Sequence, residues 1–414
     1  MRPMDVLARL AAAALIGSLA TGCSSSSQGT SQASSPSGGG KTIKIGIDLP
    51  VSGADASTGI PTRNGAVQAI EEANAKGLPG GYKLAAFDLD DAVSGVHDPA
   101  QGAQNTKQFI SDASVLAMIG PFNSNVAKAE IPLTNDAGLV QISPANTNTG
   151  LTKGDDAAKL RTSHPDTNAF FRDCTTDDRQ GAAGAQFARK LGFKKAFIVD
   201  DNETYGKGLA DVFEAQFESL GGTVLGHEHL TPKQQDFKAL LTKGRALAPD
   251  VVFYGGTTAS GGGLLRKQMG DANMAQVPFV GGDGISDRQF VDTAGSLANG
   301  AYYTVAAPEA TKLPSATAFV NAYKKRWNAE VGPYSANAYA AAKIEIAAIT
   351  KALGGGAEPT RAAVLANVAA THDFDTPIGK IGFDKNGDTT DPILSLYKIS
   401  GGKANFVTQM NLKS

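Results

Sequence analysis

From residue 42 onward the chain repeats one rhythm, a short run of aliphatic and β-branched residues followed by a helical pattern. TIKIGIDL (42–49) predicts a strand. Residues 63–76 then carry apolar contacts at Ala66, Ile70 and Ala73 and stop at Gly77, as a helix does. Strands follow at 82–90, 115–120 and 139–143, with helical patterns at 99–111 and 125–136 between them. After Arg172 the rhythm restarts. Helical patterns at 180–191, 206–220, 236–246 and up to Met269 alternate with KAFIVD (195–200), TVLGHEHL (223–230), DVVFYGG (250–256) and PFVGGDG (278–284). Strands alternating with helices imply parallel sheets covered on both faces. Two such sets predict two α/β lobes. Helices at 315–330 and 335–353 and the last strands fit either lobe on rhythm alone.

The chain has 414 residues, 42% of them hydrophobic, enough for two domains. A net charge of −2 gives no footprint for nucleic acid. The basic run Lys324, Lys325, Arg326 sits in a helical pattern and reads as a solvated face.

The first residues form a separate unit. Arg2 and Arg9 flank the start of an apolar stretch, 10–20, that is too short to cross a bilayer as a mature helix. Small residues lead to Cys23. The pattern resembles a bacterial lipoprotein signal, which implies cleavage after Gly22 and a lipid on Cys23. Residues 24–40 hold nothing apolar larger than Ala and read as a flexible tether, giving 1–22 as signal and 23–41 as tether. GGGKT (38–42) lacks the strand and first glycine of a phosphate-binding loop. With Cys23 taken by the lipid, Cys174 is the one thiol left, and one thiol cannot form an internal disulfide. It reads as a part-buried structural thiol.

Ligands of open parallel sheets sit beyond the carboxyl ends of strands. Here those ends read PVSGADASTG (50–59), GPFNSN (120–125), SPANTNTG (143–150), DDNETYG (200–206), GGTTAS (255–260) and GGDGIS (281–286). All are small, hydroxylated or glycine-rich, as the rim of a polar cleft would be. Catalytic signatures are missing. No Gly-x-Ser-x-Gly elbow or Gly-x-Gly-x-x-Gly fingerprint occurs, and nothing pairs a nucleophile with a base. His227 and His229 share one face of a predicted strand, but no third metal ligand is near in sequence, so an exposed pair is expected. DKNGD (384–388) departs from a calcium loop and predicts a turn. Asp88, Asp90 and Asp91 read as structural. The expectation is a binding protein with no catalytic residues, cofactor or metal.

The stretches IKIGIDLPVSG, GAVQAIEEANAKG, IGPFNSN, ISPANT, ETYGKGLA, DVVFYGG, GGDG and GKIGFDKNGD, with the spacing Arg172…Asp177…Gln180-Gly181, resemble the leucine/isoleucine/valine-binding branch of the type I periplasmic binding proteins of ABC importers. The resemblance implies two doubly wound parallel-sheet lobes joined by a three-crossover hinge. Residues 42–171 with 306–388 would form lobe 1, and 172–305 with 389–414 lobe 2. It also implies an amino-acid ligand in the cleft. Ser124 and Thr147 would hold the carboxylate; the Ala145 carbonyl, the Thr147 hydroxyl and the Asp283 carboxylate would receive the α-ammonium; Tyr205 would close from the second lobe. Where the branched-chain binders carry tyrosine near the side-chain pocket, this chain has Thr58 and Thr257. Where they carry glutamate for the ammonium, it has Asp283. A roomier, more polar pocket follows, with Tyr334 on the same wall. The implied partners are ABC permease subunits and, through Cys23 alone, the outer face of a membrane; the implied state is a monomer. Two alternatives stay open: a receptor for a solute without an amine, such as an amide, a urea-like compound or an aromatic acid, and a ligand-sensing protein.

Overall fold

The computed structural model describes residues 41–356 and 358–413. The expected signal segment, Cys23 and the tether up to Gly40 lie outside the described residues.

The first sheet holds β1 (Thr42–Leu49), β2 (Lys83–Asp90), β5 (Val115–Ile119), β6 (Val140–Ser143) and β7 (Phe170–Arg172), in the order β2-β1-β5-β6-β7, all parallel. A short hairpin, β3 (Ala92–Val93) and β4 (Val96–His97), stands beyond β2. β5 and β6 are buried throughout, as strands covered on both faces must be. The helix Ser335–Leu353 packs on the helix Ala56–Lys76 and beneath β5. Gly65 allows the helices to meet, since a Cβ there would stand 2.0 Å from the Ser335 carbonyl oxygen.

The second sheet orders β16-β15-β12-β11-β10-β8-β9. Its strands are β8 (Lys195–Asp200), β9 (Thr223–His229), β10 (Val251–Gly255), β11 (Phe279–Gly281), β12 (Tyr302–Val305), β15 (Ile393–Ser400) and β16 (Lys403–Asn411). A minor pair, β13 (Phe374–Thr376) and β14 (Gly379–Ile381), lies in between. β8 to β12 are parallel, but β15 and β16 run antiparallel. Their turn explains the reversal. Gly401 and Gly402, at φ 59° and 68°, form a two-residue hairpin connection that needs positive φ at both positions. The chain crosses between lobes after β7, after β12 and before β15, a three-crossover hinge.

Sequence and structure part at the first helix, which begins at Ala56 rather than residue 63 and runs through Pro61. Proline inside a helix forfeits one hydrogen bond. The Tyr323 hydroxyl at 3.1 Å and the Ser335 hydroxyl at 2.9 Å donate to the Pro61 carbonyl and pin this turn to neighbouring helices, contacts invisible to local propensity. Thr58, placed by sequence on a loop, is therefore helical. Cys174 is fully rather than partly buried, its thiol donating to the Asn146 carbonyl at 3.3 Å.

Candidate functional site

The segment after β6 turns because Ser143 Oγ accepts the N–H groups of Ala145 at 3.2 Å and Asn146 at 2.9 Å. Arg172, at the end of β7, then locks the loop. Its guanidinium donates to the carbonyls of Asn146 at 2.9 Å and Asn148 at 2.7 Å, and its Nε pairs with Asp388 at 2.7 Å. Thr147 lies between the two held carbonyls. Asp388 belongs to the turn at 384–388, where Asp384 Oδ1 accepts the N–H groups of Asn386 and Asp388. Through Arg172 the first and third crossovers are thus tied to the loop bearing Thr147.

Asp283 follows β11 and is buried. Its Oδ1 accepts from Gln180 Nε2 at 2.6 Å and from the Tyr205 hydroxyl at 3.0 Å, and its Oδ2 from the Tyr334 hydroxyl at 3.0 Å. Burial raises its pKa, and the three donors oppose that rise. The Tyr205 hydroxyl also receives the Gly284 N–H at 3.1 Å. Tyr334 stands at the start of the first-lobe helix 335–353, so Asp283 is bonded from both lobes. Its hydroxyl thus serves the Asp283 carboxylate.

Asp177 and Thr147 complete the cluster. The Asp177 N–H donates to the Thr147 carbonyl at 2.8 Å. Both Asp177 carboxylate oxygens, Thr147 Oγ1 and Gln180 Oε1 are buried without a hydrogen-bond partner. Burial, reinforced by the charge of Asp283, pushes the Asp177 carboxyl well above its usual range. The Thr147 hydroxyl stands close enough to Asp177 to oppose that rise; buried polar atoms are nearly always paired, so the remaining acceptors can take donors from a ligand. Sequence reasoning singled out the Asp177 and Gln180 spacing but assigned neither residue to the ligand; the signal was their position in the motif that starts at Arg172.

Ser124 opens the helix Ser124–Ala137 and is buried, with Oγ accepting the Asn148 N–H at 3.3 Å. A helix N-terminus with free N–H groups favours a carboxylate. Ala145 is buried beside Cys174 and Tyr334 in one apolar cluster. Thr257 adjoins the Asp283 loop, its neighbour Thr258 donating an N–H to the Gly284 carbonyl at 2.8 Å. The Thr257 hydroxyl pairs with Ser260 Oγ at 2.6 Å. Thr58 donates to the Asp55 carbonyl at 2.9 Å within its own turn, and no hydrogen bond joins it to the Asp283 cluster.

The lobes meet over this cluster. Asn148 Nδ2 donates to the Thr204 carbonyl at 2.7 Å, and Asn125 Nδ2 to Glu203 Oε2 at 3.2 Å. Asn148, whose Oδ1 accepts the Gly150 N–H at 2.9 Å in a local turn, therefore also bridges the cleft. Asn146 faces inward to the Phe122 carbonyl at 2.9 Å and is structural.

Two packed sheet lobes closing over a polar cluster invite comparison with known folds. A family model described as "Periplasmic binding protein" matches residues 42–403. The chain belongs to this family. Leu/Ile/Val-binding protein BraC3 of Rhizobium johnstonii is 34% identical to it over 362 residues, 87% of this chain and 92% of that protein. Among solved structures, a leucine-binding protein LivK from Thermotoga maritima superposes with a TM-score of 0.78 at 25% identity, covering 89% of this chain and 99% of that one. LivJ from Streptococcus pneumoniae, in complex with isoleucine, gives 0.76 at 28% identity and the same coverage. A Rhodopseudomonas palustris solute-binding protein in complex with benzoate gives 0.74 at 20% identity, a likeness of fold alone. This periplasmic binding protein thus shares the type I two-lobe fold, with its polar cluster at the lobe junction.

Proposed function

We propose that the protein is the extracytoplasmic substrate-binding component of an ABC importer and holds a free amino acid between its lobes. The carrying observation is the buried pair Asp177 and Asp283 with Thr147 Oγ1 beside Asp177, acceptor-rich and without a Lys or Arg bonded to either carboxylate. An α-ammonium supplies three donors and the missing positive charge. Ser124 and the N–H groups at the start of its helix take the ligand carboxylate. The Ala145 carbonyl and Thr147 hydroxyl serve the ammonium with Asp283, and Tyr205 closes from the second lobe. An acid lacking the amine would leave two buried carboxylates uncompensated. The branched-chain ligands named for the similar proteins support an aliphatic amino acid; Thr58 and Thr257 favour a more polar side chain.

Residues 42–171 with 306–388 and 172–305 with 389–414 are our lobe boundaries. Cleavage after Gly22 and a lipid on Cys23 would anchor the protein to the outer face of the cell membrane, as a monomer that docks on permease subunits. No helix among the described residues is long and apolar enough to cross a membrane.

A thermal-shift screen of the purified protein against the common amino acids and small amides tests the reading. A ligand at a hundredfold excess over its dissociation constant adds about 2.7 kcal/mol of stability. Shifts with one or a few amino acids are expected; shifts only with solutes lacking an amine would overturn the proposal.

A further inference from the structure

The second lobe carries a side-chain cluster outside the solute cleft. β8 and β9 run parallel, pairing Ile198 with His227 and Asp200 with His229. Side chains two apart on a strand share a face, so both histidines and Asp200 project together. Asp200 Oδ2 lies 2.7 Å from His227 Nε2 and 2.7 Å from His229 Nδ1. One ligand atom from each residue lies within 4.8 Å of the others. The sequence offers only the two histidines nearby; sheet register supplies the third group.

The helix Thr204–Ser219 adds Glu214, whose Oε2 is 2.6 Å from His227 Nδ1. A carboxylate on the far nitrogen is what fixes the tautomer of a metal-bound imidazole and leaves the near nitrogen free to ligate. Asp200 and Glu214 have ion-pair contacts with the histidines alone. Lys207, whose charge also reaches them, is itself bonded to Asp211 at 2.6 Å. With neutral imidazoles the cluster carries two negative charges, matching a divalent cation. The Asp200 side chain is 0% exposed and that of His227 12%, whereas His229 is 45% exposed, so the site has a fixed base and one side open to solvent.

We propose that Asp200, His227 and His229 bind a divalent transition-metal ion of the zinc class, with Glu214 orienting His227 and water completing the coordination. Two imidazoles and a carboxylate suit zinc, nickel or copper, whereas calcium and magnesium take oxygen ligands. Tetrahedral zinc with bonds near 2.0–2.1 Å needs its ligand atoms about 3.3 Å apart. Both 2.7 Å contacts must therefore open by about 0.6 Å: the half-exposed His229 has room to move, and His227 must shift together with the part-exposed Glu214 that holds its other nitrogen. The site lies on the edge strand β9. Asp200 Oδ1 also accepts the Asn202 N–H at 2.7 Å, at the start of the loop to Glu203 and Tyr205.

Calorimetric titration of the purified, chelator-stripped protein with zinc chloride tests the proposal, with calcium chloride as control. One equivalent should bind, raising the unfolding temperature, and calcium should give no saturable heat. His229→Ala, at a half-exposed position, should retain the fold and weaken zinc binding roughly tenfold or more, and Glu214→Gln should weaken it to a lesser degree. No saturable zinc binding by the wild type, or binding unchanged in His229→Ala with its fold verified by circular dichroism, would overturn the assignment. Should His229→Ala not fold, His229→Gln takes its place with the same outcomes.

Discussion

His97 of the first lobe joins Glu203 of the second, its Nε2 2.8 Å from Glu203 Oε2 while its Nδ1 is 2.8 Å from Asp55 Oδ2. The ring is buried on a short hairpin, and Glu203 caps the helix that carries Tyr205. The buried Asp91 adds a third carboxylate to its surroundings. Burial alone would discourage charging the ring, but the hydrogen bonds from Asp55 and Glu203 outweigh it and hold the pKa well above the usual histidine value. The bridge exists only where the lobes touch, so it favours the closed form.

Glu203→Gln should therefore weaken solute binding without unfolding the protein. A hydrogen bond to a charged partner contributes about 1–2 kcal/mol, or roughly five- to thirtyfold in affinity. Calorimetric titration of the variant measures it. The pH sense follows from the raised pKa. The contribution is complete below the ordinary histidine pKa and is lost as pH rises through the elevated one. Wild-type affinity should fall on the alkaline side, and the Gln variant should show a shallower fall.

Arg172 is fully buried, pairs with Asp388 and holds the carbonyls on either side of Thr147. Removing one partner of a buried pair costs about 3–5 kcal/mol; here Lys153, 3.3 Å from Asp388 Oδ2, still faces the carboxylate and keeps the cost at the low end. Arg172→Met should lower stability by that amount in urea unfolding. Arg172→Lys should lose the two-carbonyl grip and reduce solute affinity while preserving more of the stability.

The alternation of strands and helices was legible from residue 42 to 143 and from 180 to 284, where each element carries its own period; the three- and four-residue strands Phe170–Arg172 and Tyr302–Val305 are too short to show one. So was the polarity of the strand-end loops. What local pattern could not show were contacts made at long range. Tyr323 and Ser335 donate to the Pro61 carbonyl from across the lobe, in the first turns of the helix that local pattern missed. Tyr334 reaches Asp283 from 51 residues away, and His97 reaches Glu203 from 106. Asp200 meets His227 and His229 only through the register of two strands. Asp177 and Gln180 were visible as spacing, but their unsatisfied oxygens appear only once the lobes are packed.

Glu130 is buried beneath the first sheet, its Oε2 accepting from Gln141 Nε2 at 2.7 Å. Burial pushes its pKa up to about 8, with the neighbouring Asp91 charge adding to the rise. A carboxyl raised in the folded state stabilises below its unfolded pKa, and that stability disappears as pH climbs through the folded value. The wild type should lose stability between about pH 4.5 and about pH 8, and its curve should level off above that. Glu130→Gln keeps an acceptor for Gln141 and cannot ionise, so its stability curve should be flatter across that window, as thermal unfolding against pH would report.

Asp283→Asn isolates the charge that the proposed site needs. The amide preserves the shape; its oxygen keeps one of the two tyrosine donors and its NH2 group donates to the other hydroxyl oxygen, so the fold should persist. An ammonium facing a neutral group should bind more weakly by about 2–5 kcal/mol. Unchanged affinity in a titration with the best amino acid from the screen would count against the role assigned to Asp283.

The proposed site recognises an α-ammonium through the buried acceptors Asp283, Asp177 and Thr147. The most direct measurement is the calorimetric affinity for that amino acid set beside the affinity for the same acid with hydrogen in place of the amine. A site whose buried acceptors need donors should reject the analogue by roughly a hundredfold or more. Equal affinity for the two would contradict the account.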